Sequence, residues 1–147
     1  RGLRNNNPLN IRFSEANHWK GKLLPNTDGE FEQFVSMDYG FLAALHLIEN
    51  YILLFGCNTL NKILSRWAPP QDGNDTDHYI QQVCAYTGIG GNEPLSNFDP
   101  RLKNVLMAMA IVESGHDARY HKADIDAAWQ NYRPSSPKRI RLTAARF

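Results

Sequence analysis

The helix that organises this chain is predicted by the apolar run Val105-Leu-Met-Ala-Met-Ala-Ile-Val-Glu113, which carries a single charge at its end. On a 3.6-residue period that charge shares a face with four apolar positions, Leu102, Leu106, Met109 and Ala110. Burial beside such a face would raise the pKa of the Glu113 carboxyl, as a general acid requires near neutral pH. A negative charge at a helix C-terminus also opposes the helix dipole, so Glu113 is no helix stabiliser. The alternative is that Glu113 turns into solvent or pairs with an arginine.

The composition indicates one globular domain. The chain has 147 residues, of which 42% are hydrophobic and 21% charged, and its net charge is +1. Such a balance offers no general attraction for nucleic acid, and no apolar run approaches the roughly 20 residues of a membrane span. We therefore expect no nucleic-acid partner, no membrane insertion and a monomer. Cys57 and Cys84 lack metal-ligand spacing, so we expect two separate buried thiols, with one disulfide as the alternative.

Apolar residues at helical spacing predict five helices. The expected ranges are 37–55, 58–68, 76–88, 99–113 and about 123–132. Gly56 and Gly88 suit helix C-caps, and Pro69-Pro70 prevents the second helix from continuing. Asp99-Pro100 is typical of a helix start.

The first 40 residues predict short strands. Residues 11–13 and 31–35 alternate between apolar and polar, and the turn signal Asn26-Thr27-Asp28-Gly29 lies between them. The predicted fold is α+β and mainly α, with a small N-terminal β-hairpin. We expect one domain over 1–132 and a basic tail over 133–147. A frayed, solvated tail is the expectation, and contact with phosphates or an acidic wall polymer is the alternative.

The motifs of several chemistries are missing from the sequence. The five histidines lack metal-ligand spacing, and Gly88-Ile-Gly-Gly91 lacks the lysine of a phosphate loop. Ser114 has no nucleophile-elbow motif around it. We therefore predict neither a metal nor a cofactor. What remains is a poised carboxylate with amides and rings suited to sugars, namely Asn5, Asn6, Asn7, Asn10, Trp19, Trp67, Tyr79 and Tyr86. Each of these residues alone suits a turn or a core equally well, and only as a set do they favour a glycan cleft.

Three parts of the chain resemble lysozyme-like enzymes that cleave peptidoglycan. Met107-Ala-Met-Ala-Ile-Val-Glu-Ser-Gly115 resembles the catalytic helix of lytic transglycosylases, where the acid lies in a Glu-Ser-Gly context. The segment that follows that helix in flagellar-type glucosaminidases is similar to Asn6-Asn7-Pro8-Leu9-Asn10-Ile11-Arg12, Trp19-Lys20-Gly21 and Phe31-Glu-Gln-Phe34-Val-Ser36. Their later Thr-Asp…Tyr element is similar to Asn74-Asp75-Thr76-Asp77-His78-Tyr79.

The order of these motifs is changed, because the glutamate helix comes first in those families and last here. The resemblance therefore implies a circularly permuted lysozyme-like domain, which is reasonable where chain termini are close and exposed. With Arg66-Trp67-Ala68-Pro69-Pro70 included, the arrangement also resembles lysozyme-like virion-associated proteins of phages and prophages. The resemblance covers about residues 2–118 and leaves the tail unaccounted for.

The resemblance implies that Glu113 protonates the glycosidic oxygen between the two sugars of peptidoglycan. A transglycosylase would reuse Glu113 as base, whereas a second carboxylate would lie roughly 6.5–9.5 Å away in an inverting enzyme and about 5–5.5 Å away in a retaining one. Glu30, Glu32 and Asp28 are the candidates for that second group, and a solvated strand face is the alternative for Glu30 and Glu32. Tyr79 is expected to bond the N-acetyl group or steady the intermediate. The expected substrate-binding residues are Asn7, Asn10, Arg12, Trp19, Ser114 and Trp67.

The sequence thus predicts a muramidase or lytic transglycosylase of phage or prophage type, with glycan strands as its partner. The alternative is a non-catalytic wall-binding or virion structural module. We expect action in the periplasm at the cell wall. We recognise no signal peptide at the start of the sequence, which would fit release by a holin, carriage in the virion or a removed leader.

Overall fold

The computed structural model describes residues 1–115 and 121–133. Within them the helices are α1 (Met37–Phe55), α2 (Leu60–Trp67), α3 (Thr76–Thr87), α4 (Leu102–Ser114) and α5 (Lys122–Asn131), with a 3-10 turn at Pro70–Asp72. The predicted mainly helical character is confirmed. Most of the predicted basic tail, from residue 134 onward, lies outside the described residues.

α1 is the most deeply buried helix. Its residues Gly40 to Leu45 and Leu47 to Tyr51 are all buried, and it ends at Gly56, whose φ of 66° is left-handed. The Gly56 N–H donates to the Tyr51 carbonyl, which closes the last turn. α5 and α4 pack on α1, and α3 packs on α4 and α2. The helical layers therefore share one core.

A buried polar network fastens the end of α5 to α1. The Tyr132 hydroxyl donates to Glu49 Oε2 at 3.0 Å, and Asn97 Nδ2 donates to the same oxygen at 3.2 Å. Burial, together with the nearby Glu49 carboxylate, raises the pKa of the Tyr132 hydroxyl. The network holds α5 in register beside α1.

Side-chain caps set the starts of two helices. Thr59 accepts from Lys62 N at the start of α2, and Asp75 accepts from His78 N at the start of α3. α4 begins later than predicted, at Leu102, because the Asp99 carboxylate accepts from the Arg101 N–H and guanidinium in a preceding turn. It ends at Gly115, whose N–H donates to the Ile111 carbonyl.

The predicted N-terminal hairpin does not form a pair of regular strands, although Arg12 and Phe31, one from each predicted strand, form an antiparallel bridge. The segment over 1–36 has two isolated antiparallel bridges, Arg12 with Phe31 and Lys22 with Phe34. Asn6 and Asn10, which precede the first predicted strand, adopt left-handed backbone conformations with φ of 51° and 52°, which asparagine tolerates. The segment therefore consists of turns with short stretches of antiparallel pairing.

The N-terminal segment lies directly on α1 at Gly40. A Cβ at that position would approach Asn6 O to 2.3 Å and Pro8 Cδ to 2.7 Å. Only glycine permits so close a contact of loop and helix. This contact holds the loop that carries Asn10 against the helical layers.

In the described ranges, no single helix is long and apolar enough to cross a membrane. Taken together, α1 and the segment Leu60–Asp72 have the length and apolar composition of a span, but they are bent by 112° to each other. Cys57 and Cys84 are free thiols, as predicted, but are half-buried rather than buried.

Candidate functional site

Three side chains from distant parts of the chain converge on the Glu113 carboxylate at the end of α4. The Tyr79 hydroxyl donates to Oε2 at 2.8 Å, and Trp67 Nε1 donates to the same oxygen at 3.4 Å. Asn10 Nδ2 donates to Oε1 at 3.4 Å. Glu113 is half-buried, so its carboxylate is held by neighbours yet remains accessible.

Each donor is placed by the element that carries it. Trp67 is the last residue of α2 and is fully buried, with its ring edge-on to Tyr51 at 6.1 Å between centroids. Tyr79 lies one turn into α3 and is 5% exposed. Asn10 is presented by a loop whose left-handed turn aims its amide at α4. The carboxylate is therefore fixed from three directions.

The Glu113 carboxylate opens into a cleft of about 230 Å³. Of the predicted site residues, Asn10, Glu113 and Ser114 line it. The Ser114 hydroxyl donates to the Ala110 carbonyl at 2.8 Å, so helix backbone already engages it. The remaining lining residues are Arg1, Gly2, Leu3, Pro8, Phe31, Ala110 and His121.

His121 is a cleft residue that the sequence analysis missed. It is 8% exposed, and its ring lies 6.2 Å from the ring of Phe41 on α1. Its Nδ1 lies 3.6 Å from an Asp124 carboxylate oxygen. No local motif marks this histidine, because its place in the cleft depends on the packing of α5 against α1.

Asp28 and Glu30, two of the predicted second carboxylates, are in ion pairs with arginines. Arg1 donates to both oxygens of Asp28 at 2.7 and 3.0 Å, and this contact holds the pKa of the Asp28 carboxyl well below its usual range. Glu30 pairs with Arg1 at 3.1 Å and with Arg12 at 3.2 Å. Both guanidinium groups also lie over the Phe31 ring. The predicted ligand Arg12 is thus engaged within this cluster.

Glu32 is placed in the interior rather than on an accessible strand face. Its side chain is fully buried and pairs with Lys22 Nζ at 3.1 Å, and the Ser14 N–H donates to the same oxygen. Burial raises the pKa of the Glu32 carboxyl, an effect that the Lys22 pair opposes. Because Glu30 and Glu32 are two residues apart, the sequence predicted that they share one strand face. In the irregular backbone of this segment Glu30 is exposed and Glu32 is buried.

Asn7 and Trp19 are structural in this fold and do not line the cleft. The Asn7 amide is fully buried, donates to the carbonyls of Ile11 and Glu32, and accepts from the Ile11 N–H. It therefore replaces part of a strand ladder. Trp19 is half-buried against the core, and its indole N–H has no hydrogen-bond partner.

Among residues 1–115 and 121–133, no group of three or more histidine, cysteine, aspartate or glutamate side chains is arranged to hold a metal ion. The polar groups that line the cleft belong to Arg1, Asn10, Glu113, Ser114 and His121. The predicted site residues Tyr79 and Trp67 do not line it, because both are buried, and they contact the Glu113 carboxylate from behind the lining.

Fold and site together define a mainly helical protein whose cleft is built around one carboxylate and flanked by an irregular N-terminal segment. No family model matches the chain. Over 117 residues it is 37% identical to Protein P5 of Pseudoalteromonas phage PM2, in an alignment that covers 78% of this chain and 71% of that protein. At this identity and coverage, the chain belongs to the same family as Protein P5 and is related to a phage protein.

Proposed function

We propose that this protein cleaves the β-1,4 glycan strand of peptidoglycan, with Glu113 as general acid and then base. The observation that carries the proposal is the convergence of Tyr79, Trp67 and Asn10 on one half-buried carboxylate that lines a cleft. Donors held at fixed positions stabilise charge without reorganising during the reaction. Glu113 becomes a carboxylate when it gives up its proton, and these three donors stabilise that carboxylate.

In the first step, the protonated Glu113 gives its proton to the glycosidic oxygen. The bond between that oxygen and the anomeric carbon breaks, the bonding electrons leave with the oxygen, and positive charge develops on the sugar ring. The resulting carboxylate accepts from Tyr79 and Trp67. Asn10 suits both states, because an amide side chain can donate to a carboxylate or accept from a carboxylic acid.

The composition of the cleft supports the single-carboxylate route for the second step. Among its described lining residues, Glu113 is the one that carries a carboxyl group. In this route the 6-hydroxyl of the muramic sugar attacks the anomeric carbon and returns its proton to Glu113. The product is an anhydro sugar. We therefore favour a lytic transglycosylase over an enzyme with two carboxylates.

We further propose that the helices form a circularly permuted lysozyme-like domain that acts on the cell wall as part of a phage or prophage. The contact of Asn10 with Glu113, 103 positions apart, supports the permutation. It joins a motif near the start of the chain to the glutamate helix near its end, and these two are neighbours in sequence in the enzymes that this chain resembles.

Clearing of purified peptidoglycan tests the proposal. Wild-type protein is expected to clear the suspension, and Glu113→Gln, which keeps the shape but carries no transferable proton, is expected to lose at least a hundredfold in rate. Glu15→Gln, at an exposed position away from the cleft, is the matched control and should clear like wild type. Mass spectrometry should find anhydro ends rather than reducing ends.

Equal clearing by wild type and Glu113→Gln would refute the assigned acid. Reducing ends would refute the single-carboxylate route and leave the cleavage itself standing. If neither protein clears the suspension but both sediment with it, the chain is instead a wall-binding module.

A further inference from the structure

The loop that joins α2 to α3 is closed by two side-chain hydrogen bonds. The Thr76 hydroxyl, on the first residue of α3, donates at 2.6 Å to the carbonyl of Ala68, which follows the last residue of α2. Within the loop, Asn74 Nδ2 donates to the Pro69 carbonyl at 3.1 Å. Side chains therefore fasten the start of α3 to the end of α2, in addition to the packing of the two helices.

The bond between Thr76 and Ala68 lies in the interior of the protein. Thr76 is 7% exposed and Ala68 is fully buried. The last carbonyl groups of a helix have no partner within the helix, and a buried carbonyl without a partner is destabilising. Pro69 and Pro70 follow directly and have no N–H to donate. The Thr76 hydroxyl supplies a donor that the neighbouring backbone does not provide.

The same two helix ends carry two of the three donors to Glu113. Trp67 directly precedes Ala68, and Tyr79 lies about one turn after Thr76. Trp67 Nε1 and the Tyr79 hydroxyl donate to one oxygen, Oε2, at 3.4 and 2.8 Å. Because 3.4 Å is already long for a hydrogen bond, a small shift of α3 relative to α2 would leave one donor out of reach. The position of α3 on α2 thus decides whether both donors meet at the carboxylate.

We propose that Thr76 is a positioning residue, whose hydroxyl fixes α3 against α2 so that Trp67 and Tyr79 hold the Glu113 carboxylate together. Thr76 acts through these two donors and is not among the described residues that line the cleft. Its effect on the reaction rests on the proposed function. Its effect on the hydrogen bond of Trp67 rests on the geometry alone.

Clearing of purified peptidoglycan by Thr76→Val tests the effect on the reaction. Valine keeps the shape of threonine and removes the hydroxyl. The rate at saturating peptidoglycan should fall roughly ten- to hundredfold, because a displacement of about 1 Å in a site can have an effect of this size. The concentration that gives half the maximal rate should stay within about twofold, because Thr76 does not contact the substrate. Thr76→Ser, which keeps the hydroxyl, should recover most of the rate.

The matched control is Thr87→Val, on the last turn of the same helix. The Thr87 hydroxyl donates to the Val83 carbonyl at 2.8 Å, so the substitution removes a similar bond within α3 and leaves the contact with α2 intact. Thr87→Val should clear at the wild-type rate, and urea unfolding of both variants compares their stability. Asn74→Ala removes the second bond of the loop and should also slow clearing, so the inference does not depend on the folding of Thr76→Val.

The indole N–H resonance of Trp67 reports the position of α3 without any reaction. In a proton–nitrogen NMR spectrum of the full chain, this resonance is assigned with Trp67→Phe, and it should shift in Glu113→Gln, where the charged acceptor becomes a neutral one. In Thr76→Val it should shift in the same direction. In Thr87→Val it should keep the wild-type position.

A wild-type clearing rate together with an unshifted Trp67 resonance in Thr76→Val would overturn the inference, as would equal slowing by Thr76→Val and Thr87→Val. If Thr76→Val does not fold, unchanged clearing and an unshifted resonance in Asn74→Ala would overturn it. If wild type clears nothing, the proposed function fails, and the Trp67 resonance still decides whether Thr76 positions the donors.

Discussion

At the residue scale, Glu113 owes its chemical character to side chains that lie far from it in sequence. Tyr79 is 34 positions away, Trp67 is 46 and Asn10 is 103. All four residues were predicted as site residues from the sequence, Glu113 from its place at the end of an apolar helix face and the other three because their types suit sugar chemistry. Their convergence could not be predicted from residue type, because each residue lies on a different element. The hydrophobic period of a helix gives no information about the distance between two elements.

Tyr79→Phe should slow wall clearing by roughly ten- to hundredfold. The change removes the shortest hydrogen bond to Glu113, and a hydrogen bond to a charged group contributes about 1.5–3 kcal/mol. The ring stays, so packing is preserved. Tyr39→Phe, a half-buried tyrosine on α1, is the control. A clearing rate of Tyr79→Phe equal to that of wild type would show that the contact does not serve the reaction.

Glu32→Gln should remove a pH dependence of stability. Burial raises the pKa of Glu32 above 4.5, so the folded state holds this proton more tightly than the unfolded state. The resulting stabilisation is fully present below about pH 4.5 and is lost as the pH rises through the folded-state pKa. The free energy of unfolding of wild type, relative to Glu32→Gln, should therefore fall as the pH rises from 4.5.

Urea unfolding of both proteins across this range measures the difference. Asp28, whose lowered pKa acts in the opposite direction below pH 3.8, is present in both and cancels in the comparison. Parallel stability curves would mean that the Lys22 pair fully offsets the burial of Glu32.

At the element scale, local signals predicted helices well and the N-terminal strands badly. α1 spans the predicted 37–55, because its apolar period and Gly56 are both local features. The start of α4 was placed too early, since Asp99 bonds to Arg101 instead of capping the helix. In the N-terminal segment the two predicted strands meet at the isolated bridge of Arg12 with Phe31, and the buried Asn7 side chain bonds to the backbone of Ile11 and Glu32 beside it.

Asp75→Ala should lower the free energy of unfolding by about 1 kcal/mol, the usual effect of removing an N-cap acceptor. Asp75 accepts from the His78 N–H at the start of α3, the helix that presents Tyr79. Asp77→Ala is the control, because it removes a first-turn charge without touching the cap, and it should cost only a few tenths of a kcal/mol. Chemical denaturation measures both. Equal losses would assign the effect to charge rather than to capping.

At the scale of the whole molecule, the cleft depends on the docking of an irregular segment onto a helical body. Gly40 permits the contact of α1 with Asn6 and Pro8, and the same loop brings Asn10 to Glu113. The fastening of α5 to α1 through Tyr132 and Glu49 places His121 at the same cleft. Neither arrangement follows from any single helix.

Gly40→Ala should destabilise the protein by roughly 1–3 kcal/mol and slow clearing, because the added methyl group overlaps loop backbone. Gly90→Ala is the matched control. Its nearest neighbour would be Glu93 Cβ at 3.9 Å, an ordinary contact, so its effect should stay within about 0.5 kcal/mol. Thermal unfolding and clearing rates of both variants check the expectation. A Gly40→Ala protein as stable as wild type would contradict the close docking of the loop.

The sequence by itself determined the helices, their ends at glycines and prolines, and the carboxylate at the end of α4 on which three side chains converge. These features are encoded within a few turns of chain, through hydrophobic period, capping and residue type. Only the tertiary structure decided which residues share the cleft. It buried Glu32 and Asn7, paired Glu30 with Arg12, and placed His121 in the lining of the cleft that holds Glu113, because burial and ion pairing arise between segments that are far apart in sequence.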